Sequence, residues 1–329
     1  MGLMDKYDSG SSDDDDDDDI ETANDETTTT TTTTTTTDNN NNIISESNEI
    51  FIISESESGT STAERMQVAL GLPGNGFSPQ LRNKYLSNVM AKEGGGGGGG
   101  VDVVRQKLAY TWKEASDFIT ELWKNGGDDD SGDASKENYS GDASKQQQRR
   151  CIVKPYRGVA SDGVFCCSNL IEARSAFETL IGQPQYGGGM NDAVLIQEYA
   201  DGTEYAVDTV ARNGQIKVIA LWKYAKFPAN GAPFVYQCSE LVSADGVIEA
   251  AVCDYCVEVL KAQRLRWGPT HTEIKYTTTN SSSSSSSGPR LMEINARWHA
   301  QDFVPITRRC LGGRDAVAAT LDSFFDEGR

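Results

Sequence analysis

The chain has 329 residues, of which 37% are hydrophobic, and a formal net charge of −19. The first 60 residues hold seventeen of the 49 acidic residues and one of the 30 basic residues, so the remaining sequence is close to neutral. This distribution argues against nucleic-acid binding, which usually needs a basic face. The apolar runs fall short of the roughly 20 residues that span a membrane, so we expect no membrane segment.

The cysteines point to a reducing environment. There are seven of them, an odd number, and no secretory signal precedes them, so we expect free thiols in a cytoplasmic setting. Cys253 and Cys256 form a CxxC, the spacing seen in redox and zinc sites. The pair lies in a helix-like run without a second CxxC or a nearby histidine, so we expect both thiols to pack in a core.

Low-complexity sequence occupies residues 1–65, with runs of aspartate, threonine and asparagine. Such a segment cannot bury enough apolar surface to offset its chain entropy, so we expect a disordered tail there. Biased sequence returns at 94–100, 126–150 and 277–287, as glycine, SGDASK repeats and serine. We interpret these three stretches as insertions in surface loops of a folded region that spans residues 81–329.

Hydrophobic periodicity predicts the helices and strands of that region. Helices are expected over 81–93, after a capping box that begins at Thr111, after Asn169, over 247–263 and over 315–325. Strands are expected at CIVKP, FCC, AVLIQEY, HTEIKY and PRLMEIN, and a hairpin is expected to turn at Asn213-Gly214. Helices mixed with strands and a hairpin predict an α+β fold.

The stretch LMEINARWH places Glu293, Asn295 and Arg297 two residues apart. On a strand, all three side chains would leave from one face. A carboxylate, a carboxamide and a guanidinium in a row suit a core poorly. They suit Mg²⁺, which prefers oxygen ligands, and a phosphoryl group, which arginine can bind with two parallel hydrogen bonds.

A second polar group surrounds Lys154, which ends a predicted strand and precedes a loop with Gly158, Ser161 and Gly163. An ammonium beside a loop of small residues suits a phosphate, because backbone N–H groups can surround its oxygens. The loop lacks the spacing of a P-loop or a Rossmann turn. On these residues alone, an ordinary surface lysine beside a turn is an equally good interpretation.

Further candidates lie between these two groups. The connector after the strand AVLIQEY presents alternating backbone C=O and N–H groups that could read an adenine edge, and Glu204 behind it could accept ribose hydroxyls. Lys226 could reach a terminal phosphate. His271 and Glu273 form another pair on one strand face, and Glu273 could join Glu293 and Asn295 around a metal.

Six motifs occur in an order that resembles the ATP-grasp superfamily: RNKY, IVKPYRGVASDGV, LIQEYADGTEYAVD, WKYAK, GPTHTEI and GPRLMEINAR. The similarity runs from about residue 77 to residue 325 and is greatest to the carboxylate–amine ligases, of the L-amino-acid (dipeptide) ligase type. This resemblance implies an ATP-grasp fold with ATP between antiparallel sheets. It also implies ATP- and Mg²⁺-dependent joining of a small-molecule carboxylate and an amine through an acyl phosphate.

The resemblance also implies a role for each candidate residue. The ATP-binding residues would be Lys84, Lys154, Gly158, Ser161, Gly163, Glu198, Ala200, Glu204 and Lys226. Lys84, Lys154 and Lys226 would contact phosphates, the glycine-bearing loop would close over them, and Glu198 and Ala200 would bind adenine through their backbone.

The remaining roles concern the metal and the reacting groups. The resemblance implies that Glu273, Glu293 and Asn295 hold Mg²⁺ or Mn²⁺, and that Arg297 stabilises the acyl phosphate and the tetrahedral intermediate. For His271, a substrate contact and a buried histidine hydrogen-bonded within the sheet are both open.

One departure from the superfamily pattern leaves a second function open. Relatives carry a complete α/β domain before the position of Lys84, and here only residues 66–80 resemble its last segment. A nucleotide-binding remnant without ligase activity is therefore the alternative to a ligase. The identity of the acid and the amine, and the oligomeric state, are not determined by the sequence.

Overall fold

The computed structural model describes residues 35–37, 43–45, 50–94, 100–124, 150–159, 161–185, 188–278, 287–300 and 302–325. The chain divides into two compact units, Met1–Ile50 and Phe51–Arg329. In the first unit, β1 (Thr35–Thr37) pairs antiparallel with β2 (Ile43–Ser45). These two strands are the part of the predicted low-complexity tail that the structure describes in the first unit. The rest of the low-complexity sequence before residue 50 lies outside the described residues, as do 95–99, 125–149 and 279–286.

The described α-helices of the second unit are α1 (Glu57–Ala69), α2 (Lys84–Glu93), α3 (Trp112–Lys124), α4 (Leu170–Leu180), α5 (Val247–Ala262), α6 (Phe303–Cys310) and α7 (Ala316–Phe325). The predicted caps are confirmed: Thr111 Oγ1 accepts from the Glu114 backbone N–H (3.3 Å), and Asn169 Oδ1 accepts from that of Glu172 (2.9 Å). None of these helices combines the length and the apolar surface that a bilayer crossing demands.

Two antiparallel sheets complete the second unit. The four-stranded sheet has the order β3-β6-β4-β5 and contains β3 (Gln106–Ala109), β4 (Cys151–Lys154), β5 (Phe165–Cys167) and β6 (Val194–Glu198). The five-stranded sheet has the order β11-β10-β7-β8-β9 and contains β7 (Gly202–Arg212), β8 (Gln215–Ala229), β9 (Ala232–Val242), β10 (Gly268–Thr277) and β11 (Gly288–Asn295). Asn213 and Gly214 turn the β7–β8 hairpin with φ of 46° and 85°, as a type I′ turn requires.

Each sheet buries one face against helices. Ile274 and Leu260 belong to the core between the five-stranded sheet and α5, and Ile119 and Phe177 belong to the core between the four-stranded sheet and helices α3 and α4. The opposite face of the five-stranded sheet carries Trp222 and the polar residues described below. This arrangement confirms the predicted α+β class and leaves a polar sheet face available for a site.

The CxxC pair lies on α5 inside the first of these cores, as the sequence predicts. Burial raises the pKa of Cys253 to about 11, and burial raises the pKa of Cys256 as well, so both thiols stay protonated near neutral pH. All seven cysteines are free.

The predicted boundary of the disordered tail at residue 65 is wrong, because α1 begins at Glu57 and the segment before it is packed. The Phe51 ring lies 4.3 Å from the Phe324 ring, and Gln67 Nε2 donates to the Ile52 carbonyl (2.6 Å). An aromatic contact and a hydrogen bond therefore anchor a stretch whose composition indicates disorder. Sequence periodicity also missed β3, β9 and α6.

Phe51→Ala should lower the free energy of unfolding by about 2 kcal/mol, because it removes a ring packed against Phe324. Leu70→Ala is the matched control, since Leu70 is 61% exposed at the end of α1 and should change stability little. Urea unfolding followed by tryptophan fluorescence measures both variants. Equal stability of Phe51→Ala and wild type would mean that the segment before α1 is not anchored.

Candidate active site

A cleft of about 850 Å³, partly open to solvent, is lined by residues of both sheets in the second unit. Most of the residues predicted from the sequence line this cleft, namely Lys84, Lys154, Gly158, Ser161, Glu198, Ala200, Glu204, Lys226, Glu273 and Glu293. They come from α2, from β4 and the loop after it, from strands β6, β7, β8, β10 and β11, and from the connector between β6 and β7. Segments that are far apart in sequence thus supply a single polar surface.

The two glutamates of the cleft face each other across neighbouring strands. Glu273 on β10 pairs in register with Glu293 on β11, whereas the next pair is Ile274 with Leu291. Met292 is therefore an extra residue, and the bulge lets both Met292 and Glu293 line the cleft. Two carboxylates brought together in this way provide oxygen donors for a divalent cation.

A lysine already accompanies this acidic pair. Lys84 Nζ lies 2.9 Å from Glu293 Oε1 and donates to the Gly158 carbonyl oxygen (2.6 Å). The Lys84 ammonium therefore links α2 to the glycine-bearing loop and to β11. It also shows that the Glu293 carboxylate accepts a cation in this position.

Lys154 lies at the end of β4 and is buried in the same cleft. Burial, and then the neighbouring charge of Lys84, lower its pKa to about 8, although Glu293 and Glu273 favour the charged form. A lysine in this state loses its proton more readily than an exposed one. An anion bound beside it would favour the ammonium form and raise the pKa again.

Glu204 on β7 lies between two lysines. Lys226 on β8 pairs with its Oε1, and Lys275 Nζ lies 3.9 Å from its Oε2. Burial opposes the charge on Lys226, but Glu273 and Glu204 outweigh it and raise the pKa of Lys226. Lys275 also donates to the Ala200 carbonyl oxygen (3.3 Å). Sequence reasoning missed Lys275, although it follows Glu273 by two residues and so shares its strand face.

The connector between β6 and β7 is fixed by a partner that the sequence did not indicate. The Arg105 backbone N–H donates to Glu198 Oε1 (3.0 Å), and Arg105 Nε donates to Glu198 Oε2 (2.7 Å). Both oxygens of the Glu198 carboxylate therefore accept hydrogen bonds from Arg105 instead of from a ligand. This leaves the backbone of Glu198 and Ala200, rather than a side chain, to meet a ligand in the cleft.

Four predicted residues do not line the cleft, and two of them lie just after or at the end of β11. Arg297 Nη2 donates to Asn295 Oδ1 (3.1 Å), Nη1 donates to the Trp298 carbonyl (3.0 Å), and Nε lies 3.4 Å from Glu57 Oε2. Arg297 thus joins β11 to the start of α1. The sequence did not indicate the contact between Arg297 and Glu57, because Glu57 lies in the stretch that we predicted to be disordered.

The other two are Gly163 and His271. Gly163 has φ of 65°, and a Cβ there would approach Leu180 Cδ2 to 3.0 Å, so the loop turn requires glycine. His271 Nδ1 lies 3.0 Å from Asp208 Oδ1, and its Nε2 lies 3.5 Å from Glu273 Oε1. Burial opposes protonation, but hydrogen bonds to Asp208 and Glu273 raise the pKa of His271 to about 9. His271 is therefore buried within the sheet between Asp208 and Glu273, whereas a contact between His271 and substrate stays a prediction.

Comparison with known proteins supports this architecture. Residues 147–303 match the family model described as the ATP-grasp domain. Dapdiamide A synthase from Enterobacter agglomerans is 32% identical over 161 residues, which cover 49% of this chain and 36% of the relative. The chain therefore spans about a third of the length of that relative.

Two solved structures resemble the fold. The L-amino acid ligase from Bacillus licheniformis has a TM-score of 0.56 at 16% identity and covers 83% of this chain and 55% of its own. The D-alanine–D-alanine ligase from Bacillus anthracis has a TM-score of 0.52 at 17% identity. The match covers 81% of this chain and 74% of the ligase chain. The predicted ATP-grasp fold is therefore confirmed.

Proposed function

We propose that this chain, which has the ATP-grasp fold, is an ATP- and Mg²⁺-dependent ligase that joins a carboxylate to an amine. The proposal is supported chiefly by the meeting of the Glu273–Glu293 pair with Lys84, Lys154 and Lys226 in one cleft. Oxygen donors for a cation beside several ammonium groups suit a nucleoside triphosphate. The similar proteins are named as a synthase and as ligases of amino acids.

ATP would lie along the length of the cleft. The backbone of Glu198 and Ala200 would meet the adenine edge, and Glu204 would accept the ribose hydroxyls. Lys84, Lys154 and Lys226 would neutralise the phosphates, and the loop with Gly158, Ser161 and Gly163 would cover them. Glu204 is paired with Lys226 in the present structure, so ribose binding would compete with that ion pair.

The residues present fit a divalent cation. The Glu293 carboxylate already forms an ion pair with the Lys84 ammonium, and the Glu273 carboxylate lies on the directly opposite residue of β10. Glu273 and Glu293 would hold Mg²⁺ or Mn²⁺. Asn295 at the end of β11 would be a third donor only once its Oδ1 is released from Arg297 and turned toward the cleft. When bound, the metal would neutralise charge on the phosphates. The His271 ring would hold the Glu273 carboxylate in place.

The proposed reaction has two steps. A carboxylate oxygen of the acid substrate attacks the γ-phosphorus of ATP, so that an acyl phosphate forms and ADP leaves. The amine nitrogen then attacks the acyl carbon and gives up a proton, and inorganic phosphate leaves with one former carboxylate oxygen. Arg297 would stabilise the oxyanion of the second step. To do so, its guanidinium must share or release the contacts with Asn295 and Glu57.

The test is an assay of ADP release from ATP–Mg²⁺ by the full chain, with mixed amino acids as the source of acid and amine. A ligase releases ADP only when a suitable acid and amine are both present. The alternative, a nucleotide-binding protein without ligase activity, predicts that ATP–Mg²⁺ raises the melting temperature while no mixture stimulates turnover. ADP release that is indifferent to the acceptor would also contradict the proposal.

ATP affinity should fall as the pH rises above about 8, the pKa of Lys154 in the free protein. Above this pH the Lys154 amine is neutral and must take up a proton when ATP binds. The limiting slope is about tenfold per pH unit. Isothermal titration between pH 7 and 9.5 measures the effect. Lys154→Arg should remove the dependence, since arginine stays charged. Lys223→Arg, at an exposed position of β8, is the matched control. An affinity that is flat for wild type would exclude Lys154 from phosphate binding.

A further inference from the structure

The chain contains only two histidines, and both lie in one buried cluster outside the cleft. His271 on β10 pairs in register with Asp208 on β7, and His299 follows the end of β11. The two imidazole rings are 3.9 Å apart. All three residues are less than 9% exposed. Three different segments of the chain therefore bring three metal-ligand side chains to one place.

The donor atoms have separations that a metal ion could bridge. His271 Nδ1 lies 3.0 Å from Asp208 Oδ1, and His299 Nδ1 lies 3.3 Å from Asp208 Oδ2. One donor atom from each of the three residues can be chosen so that the three atoms lie within 4.8 Å of one another. Zinc binds imidazole nitrogen and carboxylate oxygen at about 2.0–2.2 Å in tetrahedral geometry, which separates neighbouring donors by roughly 3.3 Å. The side chains would need only small shifts.

The outer contacts of the cluster hold each ligand in the orientation that a metal site requires. His271 Nε2 faces Glu273 Oε1 at 3.5 Å, and His299 Nε2 lies 2.9 Å from the Tyr224 hydroxyl. Trp222 Nε1 donates to Asp208 Oδ2 (2.8 Å). Each ring therefore has its Nε2 engaged elsewhere and its Nδ1 directed at Asp208. Metal-binding histidines characteristically make such contacts through their second nitrogen.

We propose that Asp208, His271 and His299 bind a transition-metal ion of the Zn²⁺ type, at a site distinct from the Glu273–Glu293 pair. Two imidazoles favour zinc, cobalt or nickel over Mg²⁺, which prefers oxygen ligands. The ion would replace the protons that the two Nδ1 atoms share with Asp208. The bound ion would link β7, β10 and the segment after β11. The proposed metal site does not depend on ligase activity.

The direct test uses the full chain labelled with ¹⁵N-histidine, whose ring spectrum contains only two imidazoles. The chain is produced with and without zinc in the medium and is kept in excess Mg²⁺, which occupies oxygen-ligand sites. We expect about one equivalent of tightly held zinc per chain and large shifts of both Nδ1 resonances, with the Nε2 resonances still protonated or hydrogen-bonded. This measurement needs no variant, so a folding defect cannot obscure it.

Substitution separates this site from the other possible zinc ligands. His299→Gln should lose the zinc, whereas Glu293→Gln should retain it. Cys238→Ser and Cys310→Ser remove the two exposed thiols and should also retain it. The proposal is overturned if the ring nitrogens do not shift, including the case in which zinc is retained through thiols. In that event the cluster is only a hydrogen-bonded network around Asp208.

Discussion

Glu293→Gln should lower the rate of ligase-dependent ADP release by about a thousandfold, because it removes one of the two carboxylates proposed to hold the metal. Glutamine keeps the size of the side chain, so the bulge at Met292 and the packing of β11 should survive. The charge that Glu293 presents to Lys84 at 2.9 Å is lost. Raising the Mg²⁺ concentration should restore part of the rate, since the remaining donors bind the ion more weakly.

Steady-state assays of ADP release at several Mg²⁺ concentrations measure this effect. Glu258→Gln is the matched control, because Glu258 is an exposed residue of α5 that pairs only with Lys261 among the contacts of the described chain. It should leave the rate unchanged. A Glu293→Gln variant that is folded and retains more than a tenth of the wild-type rate would exclude Glu293 from the metal site.

Arg297→Lys should lower kcat by about a hundredfold and leave the affinity for ATP nearly unchanged. Lysine keeps the positive charge but loses the planar fork that can bind two oxygens at once. Arg297 does not line the cleft in which ATP would lie, so its proposed contribution concerns the acyl group and not the nucleotide. The effect should therefore appear in turnover rather than in nucleotide binding.

The comparison requires kcat, the ATP dissociation constant and the melting temperature of the same preparations. Arg309→Lys, an exposed position on α6, is the control and should match wild type in all three. If Arg297→Lys lowers the melting temperature but keeps the wild-type kcat, Arg297 only anchors Glu57 and Asn295. The role in oxyanion stabilisation would then be wrong.

Much of the fold and of the candidate site could be predicted from local sequence patterns. The pairing of Glu273 with Glu293 follows from two adjacent strand motifs, and three of the cleft-lining lysines, Lys84, Lys154 and Lys226, follow from short sequence motifs. Caps such as Thr111 and turns such as Asn213-Gly214 are determined by neighbouring residues, so they are readable from the sequence. These features need no knowledge of which distant segments meet.

Partners that are distant in sequence could not be read in the same way. Glu57 contacts Arg297 across 240 positions of the sequence, within a stretch whose composition indicates disorder. Arg105 holds Glu198, and His299 joins Asp208, without any periodic signal linking them. Side-chain contacts of this kind depend on the tertiary fold. The cytoplasmic location stays a prediction and the oligomeric state stays open, because no local feature of the site determines either of them.

The central claim is that a carboxylate is activated by phosphoryl transfer from ATP in this cleft. The most direct measurement supplies the acid substrate with ¹⁸O in both carboxylate oxygens, together with ATP, Mg²⁺ and the amine. We predict that each turnover releases ADP and that the inorganic phosphate carries one ¹⁸O atom from the carboxylate. Phosphate without ¹⁸O, or ¹⁸O in AMP, would contradict the acyl-phosphate route. No product with any combination of acid and amine would instead support nucleotide binding without ligase activity.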